Sequence, residues 1–330
     1  MTDEILLVGL DRVAASIGLA LRTPKLQVSL AGYDPDKKVA REALQAKRID
    51  RMLGSLREVS PECDLCLVSL PPEAMIPALE TLGAALPDGA LILGISPLQS
   101  PIVDWAREHL PAGRHYVGIV PVEGAAGIEV ASPQDDAPRA DLFSGGVMAL
   151  ALPPGTPQSG IDVALSLAAL LGARPFFTDP VELDAATAAV ATFPALLAGA
   201  LMNMSVHQPG WRDARRLTGT SFARATALID EAAPRLTPAS LSLQRHHLLP
   251  RLEAMQAELA EWHALLETGK DEAIEQRLRA ASGSHDDWLS ARRKGDWGAE
   301  EMSPAPPVSG PGMLERMFGL GRRRGKSSSD

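Results

Sequence analysis

Short apolar runs alternate with amphipathic stretches over the first half of the chain. The runs predict strands at residues 5–8, 28–33, 65–69, 90–94, 116–120 and 147–152. Between them, apolar positions at helical spacing predict helices at residues 13–21, 37–46, 74–82 and 101–108. Strands that alternate with helices are typical of a parallel sheet in an α/β domain. We therefore predict a parallel-sheet domain over residues 1–156.

The pattern becomes mostly helical from residue 157 onward. It predicts helices at residues 159–171, 180–206, 243–268, 271–281 and 286–292, and a short strand at 175–178. The first of these helices should end at Gly172, a common helix stop. The 180–206 helix is apolar nearly all round, so we expect it in a core or in a dimer interface. These elements predict an all-helical second domain over residues 157–294.

Composition narrows the class of protein. The chain has 330 residues, of which 45% are hydrophobic and 22% charged, enough for two soluble domains with full cores. Its net charge of −9 argues against a nucleic-acid-binding protein. We find no signal-peptide pattern, and we expect no apolar stretch to reach the roughly 18 residues of a membrane span. The expected location is the cytoplasm.

The two cysteines, Cys63 and Cys66, form a C-x-x-C pair. No second cysteine pair or histidine pair lies near them, so we predict no metal site. We expect both thiols on a buried strand, facing opposite sides of the sheet.

The turn after the first strand carries the most informative motif. Dinucleotide-binding turns follow G-x-G-x-x-G/A, and this chain has Gly9, Asp11 and Ala14 at those positions. The second glycine lets the backbone approach the pyrophosphate. A carboxylate about 5 Å from a phosphate charge costs roughly 3 kcal/mol at an effective dielectric near 20, or about a hundredfold in affinity. The turn therefore predicts weak or lost dinucleotide binding.

Asp34 ends the second predicted strand, where an acid commonly holds the adenosine ribose hydroxyls. It also begins the turn Asp34-Pro35-Asp36, so a plain turn-forming role explains it equally well. Both interpretations stay open from the sequence.

An ordered set of motifs resembles the prephenate/arogenate dehydrogenase family over roughly residues 4–292. The set comprises the opening turn, Gly32-Tyr33-Asp34, Leu70-Pro71-Pro72-Glu73, Ser100-Pro101-Ile102-Val103, Asp141-Leu142-Phe143, Phe193-Pro194 and Gly210-Trp211-Arg212-Asp213 leading to Arg216. The resemblance implies a Rossmann-like domain followed by a helical dimerisation domain. It also implies a homodimer, oxidative decarboxylation of prephenate, and NAD or NADP held by the opening turn, Asp34, Leu70 and Pro71.

The departures from the family pattern fall on its chemistry. Val120 stands where the family has its catalytic base histidine, and Pro97 stands where it has a substrate-binding serine. Leu183, Thr192 and Ala195 replace further histidines of the pattern. Valine accepts no proton, and loss of a general base typically costs about a hundred- to ten-thousandfold in rate.

Few polar residues remain for the site that the resemblance implies. Glu123 and His207 are candidate substitute bases, each weighed against an ordinary solvated side chain. Arg216 matches the family's substrate-carboxylate arginine, with Asp213 beside it. It predicts a small anionic ligand, although Arg212, Arg215 and Arg216 equally suit a solvated basic face.

The end of the chain has a different composition. Residues 295–312 are rich in Gly, Pro and Ser and are predicted to be a disordered linker. In residues 313–330, five basic residues against two acidic ones leave +3, so the rest of the chain carries −12. Apolar residues followed by Arg322–Arg324 and Lys326 suit an anionic membrane surface or a partner's groove. A tail that only improves solubility is the other interpretation.

Two functions follow from these residues. The first is a prephenate dehydrogenase-like protein that has lost catalysis and serves binding or assembly. The second is an active NAD(P)-dependent oxidoreductase of the same family, with altered cofactor handling or substrate.

Overall fold

A computed structural model of the chain describes residues 3–23, 26, 28–125, 137–232 and 235–295. The chain divides into two compact units, and the boundary falls between Pro180 and Val181. The predicted linker and tail, residues 295–312 and 313–330, lie outside the described residues apart from Gly295.

The first unit is built on one eight-stranded sheet in the order β3-β2-β1-β4-β5-β6-β7-β8. The strands are Asp3–Val8 (β1), Val28–Tyr33 (β2), Arg51–Met52 (β3), Leu65–Val68 (β4), Leu91–Ile95 (β5), His115–Val122 (β6), Val147–Ala151 (β7) and Arg174–Thr178 (β8). Strands β1 to β6 are parallel to one another. The parallel α/β domain predicted from the apolar runs is confirmed.

The last two strands correct the predicted domain boundary at residue 156. Strand β7 pairs antiparallel with β6, and β8 pairs in parallel with β7 from Val147–Arg174 to Ala151–Thr178. A parallel pair needs a crossover connection, which is the helix Gln158–Leu170. Residues 157–180 therefore belong to the sheet unit, because β8 completes its hydrogen bonds there.

Helices cover both faces of the sheet. Among the described residues of this unit they are Arg12–Leu21 (α1), Lys37–Gln45 (α2), Pro72–Ala85 (α3), Ser100–His109 (α4) and Gln158–Leu170 (α5), and a 3₁₀ turn lies at Leu56–Glu58. One core lies beneath α1, α2 and α5, and a second lies beneath α3 and α4. Helix α5 ends just before Gly172, whose φ of +67° favours glycine, as predicted.

The second unit is helical. Its helices are Pro180–Thr187 (α6), Phe193–Val206 (α7), Trp211–Ala214 (α8), Thr220–Ala232 (α9), Pro238–Leu243 (α10), Arg245–Glu267 (α11) and Asp271–Lys294 (α12). The predicted helices 271–281 and 286–292 are one helix, because a single glycine such as Gly283 costs only about 1 kcal/mol in a helix interior.

A π-helical turn, Ala188–Thr192, joins α6 to α7. Pro194 has no N–H for the ordinary helical ladder, and the Phe193 N–H bonds five residues back to the Ala188 carbonyl. Thr192 Oγ1 donates to Gln244 Oε1 at 2.9 Å in the core of this unit. The missing N–H of Pro194 therefore explains the π-helical turn, and the Thr192–Gln244 hydrogen bond holds this turn in the core of the unit.

The helical stretch Pro180–Val206 corrects one sequence expectation. It has 27 residues and is long and apolar enough to cross a membrane, so the expectation that no apolar stretch reaches that length is wrong. Only 28% of its most apolar window is buried inside the chain, and Val190 is 76% exposed. The core helix of a soluble protein passes the same test of length and composition.

The placement predicted for the two cysteines is wrong. Cys63 lies in the turn before β4, where its N–H bonds to Ser60, and only Cys66 lies on the strand. Both side chains belong to the core beneath α3 and α4. They do not face opposite sides of the sheet, because Cys63 precedes the regular alternation of the strand.

Candidate functional site

The strand order reverses between β1 and β4, which is the topological switch point of this sheet. In open α/β sheets, ligands bind in the crevice outside the carboxyl ends of the strands at that point. Gly9 follows β1 there with φ +78°, and a Cβ built on it would lie 1.9 Å from the Ser69 carbonyl oxygen. The glycine is required because the turns after β1 and β4 touch.

Asp11 occupies the N-terminal end of α1 as its N-cap. Its Oδ1 accepts the Ala14 N–H at 2.9 Å, and its Oδ2 accepts the Ser69 hydroxyl at 2.7 Å. Ser69 follows β4, so the second bond crosses the switch point. The carboxylate therefore takes the helix position that is favourable for an anion.

Asp34 is also engaged by backbone. Its Oδ2 accepts the Leu10 N–H at 2.8 Å, and its Oδ1 accepts the Asp36 N–H at 2.9 Å. The second bond is the Asx turn that the Asp34-Pro35-Asp36 sequence favours. The carboxylate thus fixes both its own turn and the loop that precedes α1.

Arg12 and Glu123 form an ion pair between the first turn of α1 and the loop after β6. Each side chain is 29% exposed, so water screens the pair only partly. Farther along the chain, the Arg139 N–H donates to Ser16 Oγ at 3.0 Å, and that hydroxyl donates to the Arg12 carbonyl at 2.7 Å.

A buried amide and a buried phenol fill the end of β5. Gln99 is fully buried, and its Nε2 donates to the carbonyls of Gly94 at 3.0 Å and Ser96 at 2.9 Å. Its Oε1 accepts the Tyr116 hydroxyl at 3.0 Å. A Cβ on Gly94 would lie 1.9 Å from that hydroxyl oxygen. The tyrosine therefore occupies the space that a side chain at position 94 would need.

The other predicted residues of the first unit lie around this edge. Ala14 is fully buried in the first turn of α1, and Leu70 is buried beside Gly9 in the turn after β4. Pro71 is the N-cap of α3. Val120 lies near the carboxyl end of β6, opposite Ala149 of β7. The structure thus brings the predicted turn residues together, with valine at the position assigned to the base.

In the second unit, Arg216 follows α8 and is 69% exposed. Its guanidinium lies 3.5 Å from the Asp213 carboxylate, one turn earlier. His207 caps the end of α7, where its Nδ1 lies 2.6 Å from the Asn203 carbonyl oxygen of the same helix. The roles proposed for these two residues stay predictions.

The thiols of Cys63 and Cys66 are free and fully buried. Burial raises the pKa of Cys63 to about 12 and raises that of Cys66 well above its ordinary value. Among the residues that the structure describes, no group of three or more His, Cys, Asp or Glu side chains could hold a metal ion.

Sequence reasoning missed the partners of the two central side chains. Ser69 was not singled out as the partner of Asp11, and Arg12 was not paired with Glu123. One signal was available for Ser69. The strand order of a dinucleotide-binding sheet sets the ends of β1 and β4 side by side, so a hydroxyl directly after β4 faces the opening turn. Arg12 and Glu123 are 111 residues apart and give no such signal.

Comparisons of sequence and of structure both find similarity to prephenate or arogenate dehydrogenases. Residues 17–176 match the family model of the nucleotide-binding domain of prephenate dehydrogenase, starting just beyond the Gly9–Ala14 turn. A prephenate dehydrogenase of Bacillus subtilis is 24% identical over 298 residues, which cover 89% of this chain and 78% of that protein.

Two solved structures share the fold. Prephenate dehydrogenase from A. aeolicus, in complex with hydroxyphenyl propionate and NAD⁺, superposes with a TM-score of 0.72 at 17% identity, covering 87% of this chain and 98% of that one. Synechocystis arogenate dehydrogenase gives 0.61 at 18% identity, covering 86% and 99%. Residues 17–176 are thus similar to the nucleotide-binding domain of prephenate dehydrogenase, and the chain is similar to a prephenate dehydrogenase over most of its length.

Proposed function

We propose that this chain is a non-catalytic member of the prephenate dehydrogenase family, which keeps the dehydrogenase scaffold for binding or assembly. The Asp11 carboxylate carries this proposal, because it already accepts the Ala14 N–H and the Ser69 hydroxyl. A dinucleotide needs that end of α1 for its pyrophosphate. The residues present do not fit the cofactor, since two anions compete for one set of donors.

The size of the effect supports loss of cofactor binding. Two unit negative charges about 5 Å apart repel by roughly 3 kcal/mol at an effective dielectric near 20. That alone lowers affinity about a hundredfold. Displacing the carboxylate would also break its bonds to the helix end and to Ser69, so the penalty cannot be avoided by moving the side chain.

The base position supports the same proposal. Oxidation of the ring hydroxyl needs a group that accepts its proton as the hydride leaves. The position that the family resemblance assigns to this base holds Val120. Of the two candidate substitutes, Glu123 is paired with Arg12 and His207 contacts its own helix. Neither arrangement favours a free base.

The alternative is an active NAD(P)-dependent oxidoreductase with altered cofactor handling or substrate. The retained strand order and the exposed Arg216 favour it, since both belong to the catalytic members of the family by resemblance. It requires a dinucleotide to bind despite Asp11 and another group to replace the base.

Nucleotide titration of the purified full-length chain separates the two functions. We expect millimolar NADH or NADPH to leave the melting temperature of the wild-type protein unchanged. Asp11→Gly should gain a shift, because the repulsion and the bulk at the turn are both removed. Asp36→Gly removes the capping carboxylate of the neighbouring helix α2 and is the matched control. It should gain no shift.

Turnover is the second measurement of the same experiment. Prephenate or arogenate with NAD⁺ or NADP⁺ should give no increase in the absorbance of the reduced cofactor above the blank. Turnover at the rate of ordinary dehydrogenases would establish the alternative instead. A clear NADH shift of the wild-type protein, as large as that of Asp11→Gly, would contradict the loss of cofactor binding.

The proposed binding role has three further parts. We propose a homodimer formed by the helical unit, since only 28% of the most apolar window of its α6–α7 stretch is buried inside the chain. We propose a small anionic ligand near Arg216.

We also propose that residues 313–330 attach the protein to an anionic membrane surface. Flotation with anionic liposomes should be lost when these residues are removed, and equal flotation of both proteins would exclude the membrane role.

A further inference from the structure

A cavity of about 180 Å³ lies at the amino end of β6, within the sheet unit. Strands β1 to β6 are parallel, so this edge of the sheet is opposite to the one that carries the switch-point turns. Three elements line the cavity, which are α4, the start of β6 and the turn 153–156 between β7 and α5. The cavity is therefore separate from the crevice in which dinucleotides bind.

The walls of the cavity are mostly apolar and well fixed. Val103 and Ala106 are buried on one face of α4, three residues apart. On the other side, the turn 153–156 begins with two prolines, and the Thr156 hydroxyl closes it by donating to the Pro153 carbonyl at 2.7 Å. Proline has a fixed φ, so little freedom is lost when a ligand packs against this wall.

Arg114 places a fixed positive charge beside the cavity. Its Nη2 donates to the Leu86 carbonyl at 2.7 Å, and its guanidinium also pairs with Asp88. The arginine side chain is only 18% exposed, whereas the Asp88 side chain is 85% exposed. Water therefore screens the carboxylate more than the guanidinium, and Arg114 attracts an anion in the cavity.

Arg107 supplies a second charge at the rim of the cavity. It lies on α4, one turn after Val103, and its side chain is 69% exposed. Its ion pair with Asp104 is also exposed to water, so this pair contributes little and leaves the guanidinium able to turn to a ligand. The ring of His115 lines the same cavity and carries a further hydrogen-bonding group.

We propose that this cavity binds a small organic acid, whose carboxylate bonds to Arg107 and whose short apolar body packs against Val103 and Ala106. A guanidinium can donate two parallel bonds to a carboxylate, so it favours an acid over a neutral ligand. Drug-sized ligands need about 300 Å³ or more, so the ligand of this cavity is smaller. The site goes beyond the proposed function, because it needs neither a dinucleotide nor the base position.

Isothermal titration calorimetry of the full-length protein tests the site with two probe acids, benzoate and butyrate. Their neutral matches are benzamide and butyramide, which keep the shape and lose the charge. All titrations use an Arg216→Gln background, which removes the anionic ligand proposed for the helical unit. We expect at least one acid to bind about tenfold more tightly than its amide, because its bonds to arginine are charge-assisted.

Two arginine variants test whether the acid binds in this cavity. Arg107→Gln should weaken binding of the acid about fivefold, the effect of one exposed charge. Arg41→Gln removes an exposed charge from α2 and should bind the acid like the background protein. Acids that bind no better than their amides would overturn the site, and so would an Arg107→Gln protein that binds no more weakly than Arg41→Gln. NADH titration does not involve this cavity, so the site and the proposed function fail separately.

Discussion

The Ser69 hydroxyl donates a 2.7 Å hydrogen bond to the Asp11 carboxylate, joining the two turns on either side of the switch point. The first turn follows β1 and the second follows β4, which are neighbours in the sheet. A carboxylate that caps a helix and also accepts a hydroxyl forms a charge-assisted bond, stronger than one between neutral groups. The Asp11 carboxylate thus finds hydrogen-bond donors within the chain itself.

This relationship predicts coupled stability effects. Asp11→Ala should lower the free energy of unfolding by about 1–2 kcal/mol, because it removes an N-cap. Ser69→Ala should cost about 1 kcal/mol. The double variant should cost less than the sum, since the two groups share one bond. Urea unfolding of the four proteins measures the coupling, and Asp36→Ala with Ser69→Ala is the uncoupled control. Additive losses in the Asp11 pair would contradict the shared bond.

The fold was predictable because its strands are continuous apolar runs. The strands predicted near residues 5–8, 65–69 and 90–94 all form, since buried parallel strands need apolar residues on both faces. Strand β3 has only two residues, too few for a pattern. The reversed direction of β7 and β8 depends on connections rather than on composition, so the domain boundary was placed too early.

The site was predictable only at the level of residue types. Asp11 and Val120 can be recognised from the sequence, because each stands at a position where a short sequence motif has a different residue. Their consequences depend on distant partners. Gln99 and Tyr116 form a hydrogen bond only because the chain returns through α4 to β6. The sequence around Gln99 does not indicate that Tyr116 is its partner. Contacts of this kind need the fold before they can be inferred.

The packing of Tyr116 against Gly94 predicts that an aspartate at position 94 destabilises the protein. A Cβ there would lie 1.9 Å from the tyrosine oxygen, so Gly94→Asp should lose about 3 kcal/mol or more of stability. Gly94→Asp with Tyr116→Ala should be more stable than Gly94→Asp alone, because the ring is gone. Melting temperatures of both variants and of Tyr116→Ala test this. A Gly94→Asp protein as stable as wild type would show that the ring moves aside freely.

The buried thiols predict slow chemistry and a defined pH dependence. Burial raises the pKa of Cys63 to about 12, above its ordinary value of 9.0. The thiol therefore adds stability that is present below pH 9 and is lost as the pH rises from 9 toward 12. Stability in that window should fall less steeply in Cys63→Ala than in wild type. Both thiols should resist a disulfide reagent at pH 8 until the protein is unfolded. Prompt reaction of the native protein would contradict their burial.

The helical unit exposes several large apolar side chains. We predict that a second copy of the chain covers them. On α11, Leu259 is 60% and Leu266 67% exposed, and on α12 Leu278 is 56% exposed. A homodimer that buries these side chains would remove apolar surface from water at about 25 cal/mol per Å². Light scattering after gel filtration should therefore give twice the monomer mass. Leu259→Glu with Leu266→Glu should give monomer, because two buried charges would face the partner. Leu44→Glu, on α2 of the sheet unit, is the control and should stay dimeric. A monomeric wild-type protein would contradict the homodimer.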